Sequence, residues 1–144
     1  MRATSHLLLS LLLTLSGWAC AVSDALSGSY VLVAIEQQDL PASNPNTRFQ
    51  VVNGSLDLSD DGSFVLSYTA NHSGSVWGSF MTVLKGSYDS QNGPAIEFES
   101  SEVTIDGSPV DEPDDSFLGT VHGDSLTLTD PNDVRWMFRK AHPL

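Results

Sequence analysis

The chain has 144 residues and is strongly acidic, with six Lys and Arg against eighteen Asp and Glu and a net charge of −12. A surface this negative repels phosphate backbones and anionic lipid headgroups, which argues against nucleic acid and electrostatic membrane partners. The length suits one domain, and the single cysteine excludes a disulfide within the chain.

The chain opens with the pattern of an export signal. Arg2 precedes the apolar run HLLLSLLLTL at residues 6–15, which is shorter than the roughly 20 residues that span a bilayer. Small residues then allow cleavage after Ala19 or after Ala21. Alternatively, Cys20 is the lipid-attached first residue of a lipoprotein, because GWAC is similar to the bacterial lipobox.

These features predict the organisation of the chain and its location. We expect a signal peptide at residues 1–21, with cleavage after 19 or 21, a short linker at 22–27 and one domain at 28–144. The protein would be exported to the periplasm or secreted, or else held at a membrane only through a lipid on Cys20. A working thiol is the weakest interpretation of Cys20, since a tail offers no electropositive pocket.

Beyond residue 27 the hydrophobic pattern alternates with a period of two, which predicts strands. YVLVAIE at residues 30–36 reads as a buried strand, a polar loop follows at 37–47, and Asp60–Gly62 forms a hairpin turn. Gly78 and Gly86 fall in one long run and predict bulges or bends. About eight short strands and no helix of ten residues or more indicate an all-β sandwich or closed barrel.

Four segments narrow this choice: GSYVLVAIEQQDLP, NGSLDLSDDGSF, KGSYDSQNGPAIEF and GTVHGDSLTLTDPNDVRWMFRK. Together they resemble the small bacterial lipocalin-like proteins of the calycin superfamily, over nearly the whole domain. The resemblance implies an antiparallel up-and-down barrel of about eight strands with a lumen.

The resemblance also implies how the barrel closes. Lipocalins carry Gly-x-Trp on the first strand and a basic residue on the last strand, packed across the aromatic ring. Here Gly28 and Tyr30 stand at the first position, and Arg135 or Arg139 at the second. We therefore expect a cation–π contact that joins the two ends of the chain.

No catalytic or metal-binding pattern holds up in the sequence. His122 lies near Asp124 in a predicted turn, but a triad is defined by geometry. Glu97 and Glu99 share one face of a strand, and we expect that face to point to water. The acidic loops lack the ligand spacing of an EF-hand. The sequence therefore predicts neither an enzyme, nor a metal site, nor a cofactor.

Apolar side chains of the predicted lumen are the remaining candidates, and they can either line a ligand cavity or fill the barrel as a core. We expect binding of a small hydrophobic molecule as the function. The alternative is an envelope protein or inhibitor barrel that binds a protein partner through loops 37–47 or 108–115. The candidate lumen residues are Tyr30, Leu32, Phe64, Leu66, Tyr68, Phe98, Leu126 and Trp136.

Overall fold

The computed structural model of the protein describes residues 26–45, 47–72, 78–90, 93–111 and 116–142. The predicted signal peptide, Cys20 and most of the predicted linker lie outside these residues. Within the described part of the chain, no helix is both long enough and apolar enough to cross a membrane.

In the part of the chain that the structure describes, eight antiparallel strands of five to eleven residues form the barrel. Each strand pairs with the next one along the chain, and the first strand pairs with both the second and the last, so the sheet closes on itself. The predicted fold, an antiparallel up-and-down barrel, is confirmed. The strands are β1 Gly28–Ile35, β2 Phe49–Leu58, β3 Ser63–His72, β4 Ser79–Asp89, β5 Ala95–Ile105, β6 Ser116–His122, β7 Ser125–Thr129 and β8 Arg135–Lys140.

The period of two seen in the sequence sorts side chains between the inside and the outside of the barrel. On β5, Ile96 and Phe98 are buried, whereas Glu97 and Glu99 between them are exposed. The same alternation on the other strands supplies a continuous core of aliphatic and aromatic side chains. Burial of this apolar surface is the main force that holds the barrel together.

The polar loop predicted after β1 contains regular structure. Glu36 and Gln37 both adopt positive φ angles, 48° and 66°, and form a tight turn. Gln38–Asp39 then pairs back onto the end of β1, and Ala42–Ser43 pairs with β2. A third two-residue strand, Ser108–Pro109, pairs with the end of β5.

Of the two predicted bends, one is a bulge and the other lies outside the strand. The register of β4 against β5 shifts between Lys85 and Gly86, and Ser101 is the unpaired extra residue on β5. Gly78 precedes β4 and has a φ of +61°. A second bulge, between Leu32 and Ala34 on β1, had no glycine to indicate it.

The start of β1 and the end of β8 meet at one end of the barrel around Tyr30, which is 1% exposed. Its hydroxyl donates to the carbonyl oxygen of Leu26 at 2.8 Å, and the Nζ of Lys140 lies 5.7 Å from its ring centroid. Gly28 makes room for this lysine, because a Cβ there would lie 3.1 Å from Cε of Lys140. An aromatic ring under a cation therefore closes this end.

The cation is not one of the two arginines that we predicted. Arg139 is exposed and lies opposite Val31 on the outside of the barrel. Arg135 begins β8 at the opposite end, where it pairs with Glu36. The alternation of β8 explains the correction, since Trp136 and Phe138 point inward and Lys140 follows them on the same face.

Tyr30 gives the barrel a sensitivity to alkaline pH. Burial raises the pKa of Tyr30 above its ordinary value of 10.0, and the charges of Tyr88 and Asp124 add to this. Above about pH 10 this tyrosine ionises in the unfolded chain but stays neutral in the folded chain. Ionisation therefore stabilises the unfolded chain relative to the folded one. We expect the free energy of unfolding, measured in urea, to fall as pH rises from this ordinary value through the raised pKa.

Tyr30→Phe should flatten that alkaline decline, and it should also cost about 1 kcal/mol at neutral pH through the lost hydrogen bond. Tyr88→Phe is the matched control, because burial also raises the pKa of Tyr88 but its hydroxyl is exposed. An equally steep decline in Tyr30→Phe would show that Tyr30 is not responsible.

Candidate ligand site at the open end of the barrel

Most of the predicted lumen residues fill the barrel rather than line a cavity. Seven of the eight belong to the core, and six of these are at most 4% exposed, so their surfaces are covered by neighbouring side chains. Trp136, the seventh, and Tyr68, which packs against the core, line a cavity. The six most buried residues are Tyr30, Leu32, Phe64, Leu66, Phe98 and Leu126.

This cavity has a volume of about 220 Å³ and lies at the end of the barrel opposite Tyr30. Its walls come from β2, β3, β4, β5 and β8 and from the segment before β2. Four of the lining side chains are aromatic, four are aliphatic and three are polar but uncharged. They are Phe49, Tyr68, Phe80 and Trp136; Val51, Leu84, Val103 and Ile105; and Asn44, Thr47 and Thr82.

Two aromatic pairs form the walls. The rings of Phe49 and Phe80 meet edge to face with centroids 4.9 Å apart. Those of Tyr68 and Trp136 are tilted, with centroids 5.1 Å apart. Such pairs are favourable beyond the apolar area they bury, so they fix the shape of the cavity before any ligand arrives.

Asp130 holds Trp136 in place, a role that the sequence did not indicate. Its Oδ1 accepts hydrogen bonds from the backbone N–H groups of Asn132 and Val134 at 2.9 and 3.0 Å, which forms the turn between β7 and β8. Its Oδ2 accepts the Nε1–H of Trp136 at 3.1 Å. From the sequence alone this aspartate belonged to an ordinary acidic turn, DPND.

Asp130→Ala should lower the free energy of unfolding by about 3 kcal/mol, because it removes three hydrogen bonds to a charged acceptor and leaves a buried indole N–H unpaired. Asp130→Asn should cost less, since its amide oxygen can still accept from the backbone. Urea denaturation measures both losses. Equal stability of the two variants would contradict the assigned role of the backbone bonds to Asn132 and Val134, because both variants lose the Trp136 bond.

Thr82 is the polar group deepest in the cavity wall. It lies on β4 directly opposite Tyr68 on β3, and it is 4% exposed. Its Oγ1 has no hydrogen-bond partner among the described residues. Buried polar groups are normally paired, so this hydroxyl is an exception that needs a reason.

Among the described residues, no side chain that is charged at neutral pH lines the cavity. A charged pair lies at the same end, where Glu36 accepts from the backbone N–H of Arg135 at 2.7 Å and from its Nη2 at 3.2 Å. These two hydrogen bonds lower the pKa of Glu36. The interior of the cavity itself is neutral.

The other candidates for chemistry lie apart from this cavity. His122 is exposed beside the turn between β6 and β7, and Asp124 in that turn pairs with His142 instead, at 3.0 Å. Glu97 and Glu99 face outward, as expected. His, Cys, Asp and Glu side chains of the described residues form no group of three that could hold a metal ion.

A larger groove of about 840 Å³, the outer groove, is lined by residues of β4, β5 and β6 and of the turn before β3. Its lining combines carboxylates, among them Glu97 and Glu99, with the rings of Tyr88, Phe98 and Phe117, and Leu118 beside them is 64% exposed. The carboxylates distinguish this groove from the cavity at the barrel end, which has no charged lining residue among those described.

Comparison with known proteins gives no further guide. No protein-family model matches the chain, and no curated protein or solved structure matches it either. The fold and the cavity therefore carry the functional argument.

Proposed function

We propose that the protein binds a small, neutral, largely apolar molecule in the cavity at the open end of the barrel. The observation that carries this proposal is the cavity itself, which has four aromatic walls and no charged lining residue among those described. Binding sites for small molecules are typically concave and apolar, with a few polar groups that orient the ligand. Binding, rather than catalysis, is what this set of side chains supports.

The volume limits the size of the ligand. Drug-sized ligands occupy pockets of about 300 Å³ or more, whereas an apolar cavity of about 150 Å³ accepts benzene. A cavity of about 220 Å³ falls between these sizes. It therefore suits a single substituted ring or a short branched chain, and it is too small for a long fatty acid held wholly inside.

An NMR titration with p-xylene tests the proposal. We expect the resolved indole Nε1–H signal of Trp136 and the backbone amide of Thr82 to shift on binding, because both residues line the cavity. Signals from Tyr30 and Leu126 in the core should stay in place. No shift at saturating p-xylene, or shifts spread evenly over the barrel, would contradict a site at this end.

A blocking variant supplies the control for that titration. Val103 is partly buried and lines the cavity, so Val103→Phe should place a phenyl ring in the space that p-xylene would occupy and abolish the shifts while the barrel stays folded. Val31→Phe is the matched control, because Val31 is 49% exposed on the outer surface of β1. It should bind p-xylene as the wild type does.

We also propose that this barrel is exported and related to the lipocalin-like proteins that its sequence resembles. The apolar segment at residues 6–15 supports export, and a signal peptidase or a lipoprotein pathway would act near Cys20. The closed eight-stranded barrel supports the relationship, because lipocalins share that architecture. The mass of the protein recovered from its native envelope would distinguish a chain that starts at Cys20 and carries a lipid from one that starts at Val22.

A protein partner is the second candidate, and the outer groove favours it. There Leu118 stands opposite Glu97 in the ladder between β5 and β6, with Asp61 also at the border. An exposed apolar side chain among carboxylates suits a basic segment that carries one apolar residue. Leu118→Ser should weaken such a complex without affecting p-xylene binding. Both predicted recognition loops lie partly outside the described residues, at residue 46 in loop 37–47 and at residues 112–115 in loop 108–115.

A further inference from the structure

We propose that the hydroxyl of Thr82 selects a ligand that carries one hydrogen-bonding group on a neutral ring, as a substituted phenol does. This inference rests on the proposed function and adds the chemical class of the ligand. Its support is one buried hydroxyl without a hydrogen-bond partner among the described residues, on a residue that lines the cavity.

The position of Thr82 is fixed by the strands on both sides. It pairs with Tyr68 inside the continuous ladder to β3, and with Ile105 in the last pair of the ladder to β5. Both of these neighbours also line the cavity. Because side chains directly opposite each other in a ladder point to the same face of the sheet, all three face the barrel interior.

The unpaired hydroxyl is costly to the free protein. Burial removes it from water, and its Oγ1 finds no acceptor or donor among the described residues. Valine has nearly the same shape and equal preference for strands, so packing alone does not require threonine at this position. Rotation about χ1 turns the hydroxyl towards the cavity that Thr82 lines. A ligand that then completes the hydrogen bond turns this cost into selectivity, because sites with a buried polar group discriminate strongly against analogues that cannot pair with it.

The remaining walls define the rest of the ligand. A threonine hydroxyl both donates and accepts, so it can pair with a phenol or with a carbonyl oxygen. Rings of Phe49, Phe80 and Trp136 favour a flat aromatic body. Among the described residues there is no charged lining group to pair with a carboxylate or an amine, and the net charge of −12 repels anions.

Matched ligands test this inference. p-Cresol and p-xylene have nearly the same shape and differ in one hydroxyl group. We expect Thr82→Val to weaken p-cresol binding relative to p-xylene binding by about tenfold, as measured by the ratio of the two Kd values. Thr82→Ser should keep the wild-type ratio, because it retains the hydroxyl. Thr120→Val, on the exposed face of β6, is the control for a threonine change elsewhere.

The outcomes separate this inference from the proposed function. If both molecules bind and Thr82→Val leaves the ratio of Kd values unchanged, the selective role of Thr82 is wrong and the cavity remains a binding site. If neither molecule binds the wild type, the proposed function is overturned and this inference with it. A circular dichroism melt of each variant confirms that the barrel is folded in every comparison.

Discussion

Gly86→Ala should destabilise the protein by about 4 kcal/mol or more, a large part of the roughly 5–15 kcal/mol that keeps an ordinary domain folded. A Cβ on Gly86 would lie 1.9 Å from the carbonyl oxygen of Glu99 and 2.8 Å from the Cα of Ser100. Both contacts are with backbone on the paired strand, so no side-chain rotation can relieve them. The bulge between β4 and β5 brings these strands too close for any residue with a side chain.

Urea denaturation of Gly86→Ala and of its neighbour Ser87→Ala provides the comparison. Ser87 is exposed and pairs with Glu99 in the same ladder, so its truncation should change the free energy of unfolding by less than about 0.5 kcal/mol. A Gly86→Ala protein as stable as Ser87→Ala would mean that the bulge can widen without cost, contrary to this close approach.

Trp136→Ala should lower the free energy of unfolding by about 3–5 kcal/mol, the range for removal of a large aromatic side chain from a core. Trp136 is 7% exposed, packs against Tyr68, and donates to Asp130. Its removal therefore costs apolar burial, an aromatic contact and a hydrogen bond together. The structure thus assigns Trp136 to the core and to the cavity wall at once.

Trp136→Phe separates the two roles in a urea titration combined with p-xylene binding. Phenylalanine keeps a ring against Tyr68 but loses the bond to Asp130, so we expect a smaller loss of stability and a folded barrel that still binds. A Trp136→Ala protein with wild-type stability would contradict the packing described for this end of the barrel.

Local pattern was enough to predict the strands and the faces of their side chains, while the choice of a closed barrel over a sandwich came from the resemblance to lipocalin-like proteins. Alternation on β5 placed Ile96 and Phe98 inside and the glutamates outside, and the Asp60–Gly62 segment marked a hairpin. In that hairpin Asp61 accepts from the N–H of Ser63 at 2.9 Å, and Gly62 has a φ of +85°. These features depend on neighbours within a few residues, which a single sequence displays directly.

Contacts between distant strands could not be predicted in the same way. The shape of the cavity depends on how far strands on opposite sides of the barrel, such as β4 and β8, are staggered. That stagger depends on bulges, and no glycine in the sequence marks the bulge in β1. Alternation along β8 places Lys140, and not Arg139, on the inner face, but the register against β1 decides that Lys140 lies beside Tyr30. A shift of one residue in register moves every side chain to the other face. The division of the lumen into a packed half and an open half therefore required the structure.

The most direct test of the binding site is native mass spectrometry of the protein recovered from its own source without refolding. We expect a non-covalently bound molecule, small enough for a cavity of about 220 Å³, that is released on activation. The Val103→Phe protein, recovered in the same way, should carry none. A wild-type chain that carries no such molecule, and so matches Val103→Phe, would contradict a ligand-binding role for this end of the barrel.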